Sequence, residues 1–108
     1  MTETQATASS PLTGRQRRHL RGLANPMKPV VHVGEAGLSK AVVRATNAAL
    51  RDHELIKVRL HQPPDKKAIA NALAEQTGAA LCGLVGHTLI LFRRDPDAPK
   101  IELPGEDE

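Results

Sequence analysis

The clearest local signal in the sequence is residues 30–40, which read Val-Val-His-Val-Gly-Glu-Ala-Gly-Leu-Ser-Lys. Its β-branched start predicts a short strand over residues 30–33, and the glycines at positions 34 and 37 predict a loop. Ser39 can cap a helix that begins at the next residue. Glycines let a ligand approach the backbone, and amides at the start of a helix favour an anion. The order of strand, glycine loop and helix therefore predicts a phosphate-binding loop.

Apolar periodicity predicts a helix on each side of this loop. The upstream helix is capped by Thr13 and runs to about residue 24, with a narrow apolar stripe of Leu20, Leu23 and Ala24. The downstream helix spans about residues 40–53. By the 3.6-residue repeat, the core-facing residues of this segment should be Leu38, Val42, Ala45, Thr46 and Ala49.

The rest of the chain predicts three strands and one more helix. Residues 54–61 alternate in polarity, which predicts a strand whose single buried face consists of Ile56, Val58 and Leu60. A helix over residues 65–77, closed by Gly78, should turn three apolar side chains inward: Ile69, Ala72 and Leu73. Two apolar runs, residues 79–85 and 88–92, flank Gly86-His87, a sequence typical of a two-residue hairpin turn.

The element order α-β-α-β-α-β-β predicts the fold class: a single compact α/β domain of the α+β type, with a four-stranded mixed sheet packed with helices. Residues 1–11 are rich in Thr, Ser and Ala without apolar periodicity, and we expect a disordered leader there. Residues 12–94 should form the domain. Residues 95–108 should form an acidic C-terminal tail.

Charge is distributed unevenly along the chain. Residues 13–94 contain 14 Lys and Arg against five Asp and Glu, whereas residues 95–108 contain six acids and one Lys. The net charge of +3 thus conceals a strongly basic body, which is typical of a protein that binds a polyanion.

The candidate binding residues combine the glycine loop with basic positions near it. Lys40 and Arg44 continue from the loop along the second helix, and four arginines without a neighbouring acid fill the first helix. Lys57, Arg59 and His61 on one strand, and Arg93-Arg94, are left open as solvated positions. The predicted binding set is Gly34, Glu35, Ala36, Gly37, Lys40, Arg44, Arg15, Arg18, Arg21 and Lys28.

Several classes of function are disfavoured. The chain has one Phe and no Trp or Tyr, so it lacks the aromatic platforms of RRM and OB modules. The single Cys82 lies in an apolar run and predicts a buried thiol, and the five histidines show no metal-ligand spacing. No catalytic motif is present. We therefore expect no enzyme activity, metal, cofactor or small-molecule substrate, and the absence of an apolar span or signal peptide indicates a cytoplasmic protein without membrane contact.

Five segments resemble the bacterial YhbY family, the stand-alone form of the CRM RNA-binding domain. They are residues 12–24, 28–39, 53–58, 77–79 and 86–93. The resemblance implies a fold similar to the C-terminal domain of translation initiation factor three, with a KH-like Gly-x-x-Gly loop at Gly34 to Gly37. It further implies binding to ribosomal RNA precursors during assembly of the large subunit. The acidic Glu35 departs from what a phosphate clamp prefers.

Two other interpretations remain open. The basic faces would also suit a protein-interaction or ribosome-docking module that meets acidic protein partners, with the glycine loop serving only as a turn. An architectural role on double-stranded DNA is a third possibility, although the chain lacks a groove-reading helix motif. We expect a monomer with RNA as its partner.

Overall fold

Three helices and four strands follow one another in the predicted order. The structure is a computed structural model that describes residues 12–105, so the predicted leader lies outside the described residues. The elements are α1 Gly14–Ala24, β1 Val31–Val33, α2 Lys40–His53, β2 Leu55–Leu60, α3 Lys66–Thr77, β3 Ala80–Val85 and β4 Thr88–Phe92.

The four strands form one mixed sheet in the order β1-β2-β4-β3. Strand β1 runs parallel to β2, with Val31 opposite Val58, while β4 runs antiparallel to both of its neighbours. The chain after β1 must therefore cross over, and it does so through α2. The C-terminal ends of β1 and β2 meet at one end of the sheet, where the glycine loop also lies.

Side-chain caps fix the helix ends, as the sequence predicts. Thr13 forms a capping box: its Oγ1 accepts the Gln16 amide at 3.0 Å, and Gln16 Oε1 accepts the Thr13 amide at 3.0 Å. Ser39 and Asp65 cap α2 and α3 with their side-chain oxygens, which accept the amides of Val42 and Ala68. Gly78 ends α3 in the left-handed conformation with φ of 68°, where a side chain would add strain.

Helices pack on both faces of the sheet; the predicted buried face of β2 is confirmed, and Leu55 on the other face is buried as well. The main core lies between the sheet and the helices α2 and α3, and it includes Ile56, Val58 and Leu60. A second cluster lies under α1 on the opposite face: Leu20, Ala24, Leu55, Cys82, Ile90 and Phe92. Leu55 is buried because α1 packs over its end of the sheet.

Three predicted core positions differ from the observed ones. Leu23 is 42% exposed, because α1 contacts the sheet along the 16-20-24 line instead. Ala45 is exposed, whereas Leu50, which the prediction omitted, is 1% exposed and lies in the main core. In α3 the fully buried apolar side chains are Ala70 and Leu73, while Ala72 is only half-buried. In each helix, the predicted buried face is rotated by about one residue position relative to the observed buried face.

The chain after β4 returns across the domain. Ile101 and Leu103 pack against the second cluster, and Gln16 Nε2 donates to the Pro104 carbonyl at 2.9 Å. The fully buried Glu54 side chain accepts three backbone amides from this segment, those of Asp95, Lys100 and Ile101. Residues 95–105 thus pack on the body, and the proposed boundary at residue 95 remains a prediction.

Candidate functional site

The glycine loop is a tight, exposed turn at the end of β1. Gly37 has φ of +80°, a conformation that favours glycine, and its amide donates to the Gly34 carbonyl at 3.0 Å. This amide is therefore engaged within the turn. Of the loop residues, Gly34, Glu35 and Ala36 are exposed, so their backbone can face a ligand.

Nothing in the fold itself requires glycine at position 34. Its φ lies outside the left-handed region, and a Cβ built on it would have no atom within 4 Å. The lack of a side chain leaves the backbone open to an incoming group at this point. Glu35 is exposed beside it and has room to turn away from a bound anion.

Helix α2 carries polar side chains at positions 40, 44 and 47, and not all of them are exposed. Lys40 and Arg44 are exposed, and Lys40 is the first residue of the helix after the loop. Asn47 is half-buried, and its Oδ1 accepts a hydrogen bond from Arg93 at 2.8 Å. Loop and helix therefore offer two cations, Lys40 and Arg44, close along the chain to the exposed backbone.

The predicted binding residues do not form a single cluster. Helix α2 packs on the main core and α1 packs on the opposite face of the sheet, so Lys40 and Arg44 are separated by the sheet layer from the arginines of α1. Arg18 and Arg21 line a groove on the α1 side. Arg15 and Lys28 are exposed but are not among the residues lining that groove.

The groove occupies the part of the second sheet face that α1 leaves uncovered, and its volume is about 650 Å³. Two basic side chains from α1 and two from β2 line it: Arg18, Arg21, Lys57 and Arg59. Its other lining residues are uncharged: Gly22, Asn25, Pro29, Val85, Thr88 and Ile90. The groove is thus a concave, basic surface with a partly apolar floor.

Lys57 and Arg59 are the basic groove residues that the predicted binding set does not contain. The strict alternation of β2 already placed them on one face, and that signal was available in the sequence. Without the position of α1, however, this face could not be distinguished from a plain solvated surface. In the structure, α1 lies beside this face of β2, and its Arg18 and Arg21 line the same groove as Lys57 and Arg59.

Two histidines lie side by side, His32 on β1 and His61 directly after β2. His32 lies opposite Arg59 in the parallel register, and its ring stacks on His61 with the ring centroids 5.2 Å apart. The Nδ1 atom of His32 is 2.9 Å from Nε2 of His61. Because one nitrogen must donate and the other accept, this contact requires that at least one of the two rings be neutral.

Cys82 is buried as the sequence predicts. It is 2% exposed in the second cluster, and burial raises the pKa of its thiol to about 11, although Arg17 and Arg21 oppose this rise. The thiol therefore stays protonated at neutral pH and is a poor nucleophile.

Within residues 12–105, no group of three or more His, Cys, Asp or Glu side chains is arranged to hold a metal ion. Over the same residues, no helix is both long and apolar enough to span a bilayer.

The sequences of known proteins align with most of this chain. A Haemophilus influenzae protein named as RNA-binding is 40% identical over 95 residues, which are 86% of this chain and 95% of that protein. The Bacillus subtilis protein YqeI, whose name gives RNA binding as its expected activity, is 35% identical over 86% of this chain and 99% of its own length.

A solved structure agrees with the fold. The solution structure of the Staphylococcus aureus protein SAV1595, for which RNA binding has been suggested, superposes with a TM-score of 0.76. It is 34% identical and covers 86% of this chain and 99% of its own. The family model of the CRS1 / YhbY (CRM) domain matches residues 12–93, nearly the whole described region. The chain therefore belongs to the CRS1/YhbY (CRM) domain family, as the sequence resemblance predicts.

Proposed function

We propose that this protein binds RNA and associates with ribosomal RNA precursors of the large subunit as an assembly factor in the cytoplasm. The observation that carries the proposal is the exposed loop at Gly34, where the fold has no need of glycine and the backbone is open. The RNA-binding names of the Haemophilus influenzae and Bacillus subtilis relatives support it.

In this proposal the loop contacts the phosphate backbone in the manner of a KH loop. Amides of the exposed loop residues Gly34, Glu35 and Ala36 donate to phosphate oxygens, and the positive end of the α2 dipole favours the same charge. Lys40 and Arg44 then add two cations on the solvent side of α2. The exposed Arg15 and Lys28 supply weaker, long-range attraction. No cofactor takes part.

Replacement of Gly34 with aspartate tests the loop without straining the fold. The new side chain has open space and an ordinary φ, so we expect the free energy of unfolding to change by less than about 0.5 kcal/mol. The carboxylate would repel phosphate and block the backbone, and we expect RNA affinity to fall about tenfold or more, measured by fluorescence anisotropy. Gly37 is a poorer choice, because φ of +80° makes any substitution there strain the turn.

Gln76→Glu is the matched control, because Gln76 is exposed on α3 and the substitution changes the net charge by the same amount. If both variants weaken binding equally, only net charge matters and the loop is not a contact.

The salt dependence of RNA binding gives a second readout. For about four neutralised phosphates on single-stranded RNA, the slope of log affinity against log salt should be near −3. A flat salt response would contradict the phosphate contacts.

The assembly role is tested by sedimentation of the tagged protein with ribosomal particles on a sucrose gradient. We expect wild type to migrate with a large-subunit precursor and to crosslink to its RNA, and Gly34→Asp to lose both. Binding to purified RNA without any ribosomal association would retain RNA binding but exclude the assembly role. Ribosomal association that survives in Gly34→Asp, without RNA crosslinks, would favour docking on an acidic protein partner.

A further inference from the structure

We infer that the groove between α1 and β2 is a second RNA subsite, which receives one unpaired nucleotide that is turned out of its helix. This inference rests on the proposed RNA binding and names the part of the RNA that the groove recognises. It uses residues on the face of the sheet opposite α2 and is therefore physically separate from the contact at the glycine loop.

The charge and the size of the groove fit a nucleotide. Its volume of about 650 Å³ falls within the range of roughly 300–1,000 Å³ that is usual for small-ligand sites. Four cations and no carboxylate line it. Four like charges converging on one concave surface repel one another unless an anion shares the space, and a nucleotide brings its own phosphate and that of its neighbour.

The floor and rim of the groove offer apolar surface to a base. Ile90 forms part of the floor, and Val85 stands at the rim with 64% of its surface exposed, the most exposed of the large apolar side chains described. Arg18 and Arg59 are exposed, and their planar guanidinium groups can stack on a base in this groove, whose lining residues include no aromatic ring. Arginine planes serve this purpose in the recognition of splayed-out bases.

Two of the four cations are held in place before any ligand arrives. Arg21 Nη1 donates to the Cys82 carbonyl at 3.0 Å, and a Cβ at Gly83 would come within 2.9 Å of Arg21 Cδ. Glycine at position 83 therefore makes room for the Arg21 side chain. Lys57 Nζ donates to the Asn25 carbonyl at 3.1 Å across the groove. A site whose cations are already ordered loses less entropy when a phosphate binds.

The shape of the groove favours an unpaired base over a duplex. Helix α1 stands over the sheet and forms a wall beside β2, so the basic surface between them is recessed. In a duplex the bases are stacked and paired inside the helix, and only a base outside the stack can enter a recess of this kind. A bulged nucleotide also brings phosphates on both sides, which the ordered cations Arg21 and Lys57 can meet.

The test compares two RNA probes: a fully paired stem and the same stem with a single bulged uridine. We expect wild type to bind the bulged stem about tenfold more tightly than the paired stem. This is the order of magnitude of the affinity gained when one base stacks on a side chain. The double variant Arg18→Ala/Arg59→Ala should bind both stems with equal affinity. The control Lys67→Ala/Arg94→Ala removes two exposed cations outside the groove and should keep the preference for the bulge.

Each outcome separates the inference from the proposed function. Loss of the bulge preference in the groove variant alone supports the subsite. If wild type binds both stems equally, or if the groove variant keeps the preference, the subsite is excluded while RNA binding stands. Gly34→Asp should weaken binding to both stems by a similar factor. If wild type binds neither stem, the proposed function fails and the subsite fails with it. Urea unfolding of each variant verifies that the fold is retained.

Discussion

Replacement of Glu54 with alanine is expected to lower the free energy of unfolding by about 3 kcal/mol, one of the two largest effects we predict for a single substitution. The Glu54 side chain is fully buried, and its Oε1 accepts the amides of Lys100 and Ile101 at 2.9 and 3.0 Å. Its Oε2 accepts the Asp95 amide at 2.7 Å. Without the carboxylate, these three amides lose their acceptor and the returning chain loses its anchor.

Urea unfolding measures this loss, and amide hydrogen exchange locates it. We expect faster exchange at Asp95, Lys100 and Ile101, since these are the donors to the carboxylate. Glu54→Gln should lose roughly half as much stability, because an amide group keeps one acceptor oxygen but turns N–H donors toward another donor. Glu75→Ala, an exposed site on α3, should stay within about 0.5 kcal/mol. Unchanged exchange at residues 95–101 in Glu54→Ala would show that the anchor is elsewhere.

Replacement of Arg93 with methionine should lower the free energy of unfolding by about 2 kcal/mol and leave RNA affinity unchanged. Arg93 Nη1 donates to Asn47 Oδ1 at 2.8 Å and to the Thr77 carbonyl at 2.7 Å, and Nη2 donates to the Asn47 carbonyl at 3.2 Å. One guanidinium thus joins α2, the end of α3 and the end of β4. Burial lowers the pKa of this group, and the nearby charge of Arg51 adds to the effect.

Arg94 is the matched control because it is exposed and adjacent in the chain. Arg94→Met removes the same charge, and we expect its stability to change by less than about 0.5 kcal/mol. Urea unfolding and fluorescence anisotropy of a labelled RNA check both variants. Equal stability of the two variants would mean that the guanidinium contacts contribute nothing measurable. A selective loss of RNA affinity in folded Arg93→Met would place Arg93 at the RNA instead.

Glu54 and Arg93 show that the role of a charged residue cannot be predicted from the sequence alone. Glu54 counted as one of five acids in a basic body, and Arg93 counted as one more cation at the end of a strand. In the structure Glu54 is fully buried and holds the C-terminal segment, and the partly buried Arg93 holds two helices to the sheet through hydrogen bonds. A count of charges in a sequence therefore overstates the charge that a ligand meets.

The helix caps, turns and periodic segments of this protein can be predicted from short windows of its sequence. Caps at Thr13, Ser39 and Asp65, the glycine turns and the two periodicities depend on residues within a few positions of each other, so their signals are complete in a short window. The family match also followed from short segments distributed along the chain. For the same reason the exposed loop at Gly34 was predictable.

Which surfaces are covered, and which basic residues come together, depends on packing between elements that are distant in the chain. Periodicity shows that Lys57 and Arg59 share a face of β2, but the helix beside that face comes from residues more than thirty positions away. Packing of α1 on one side of the sheet and α2 on the other divided the predicted binding set and created the groove. Such long-range placement depends on the summed burial of many side chains across the domain, and no local stretch of sequence contains that information.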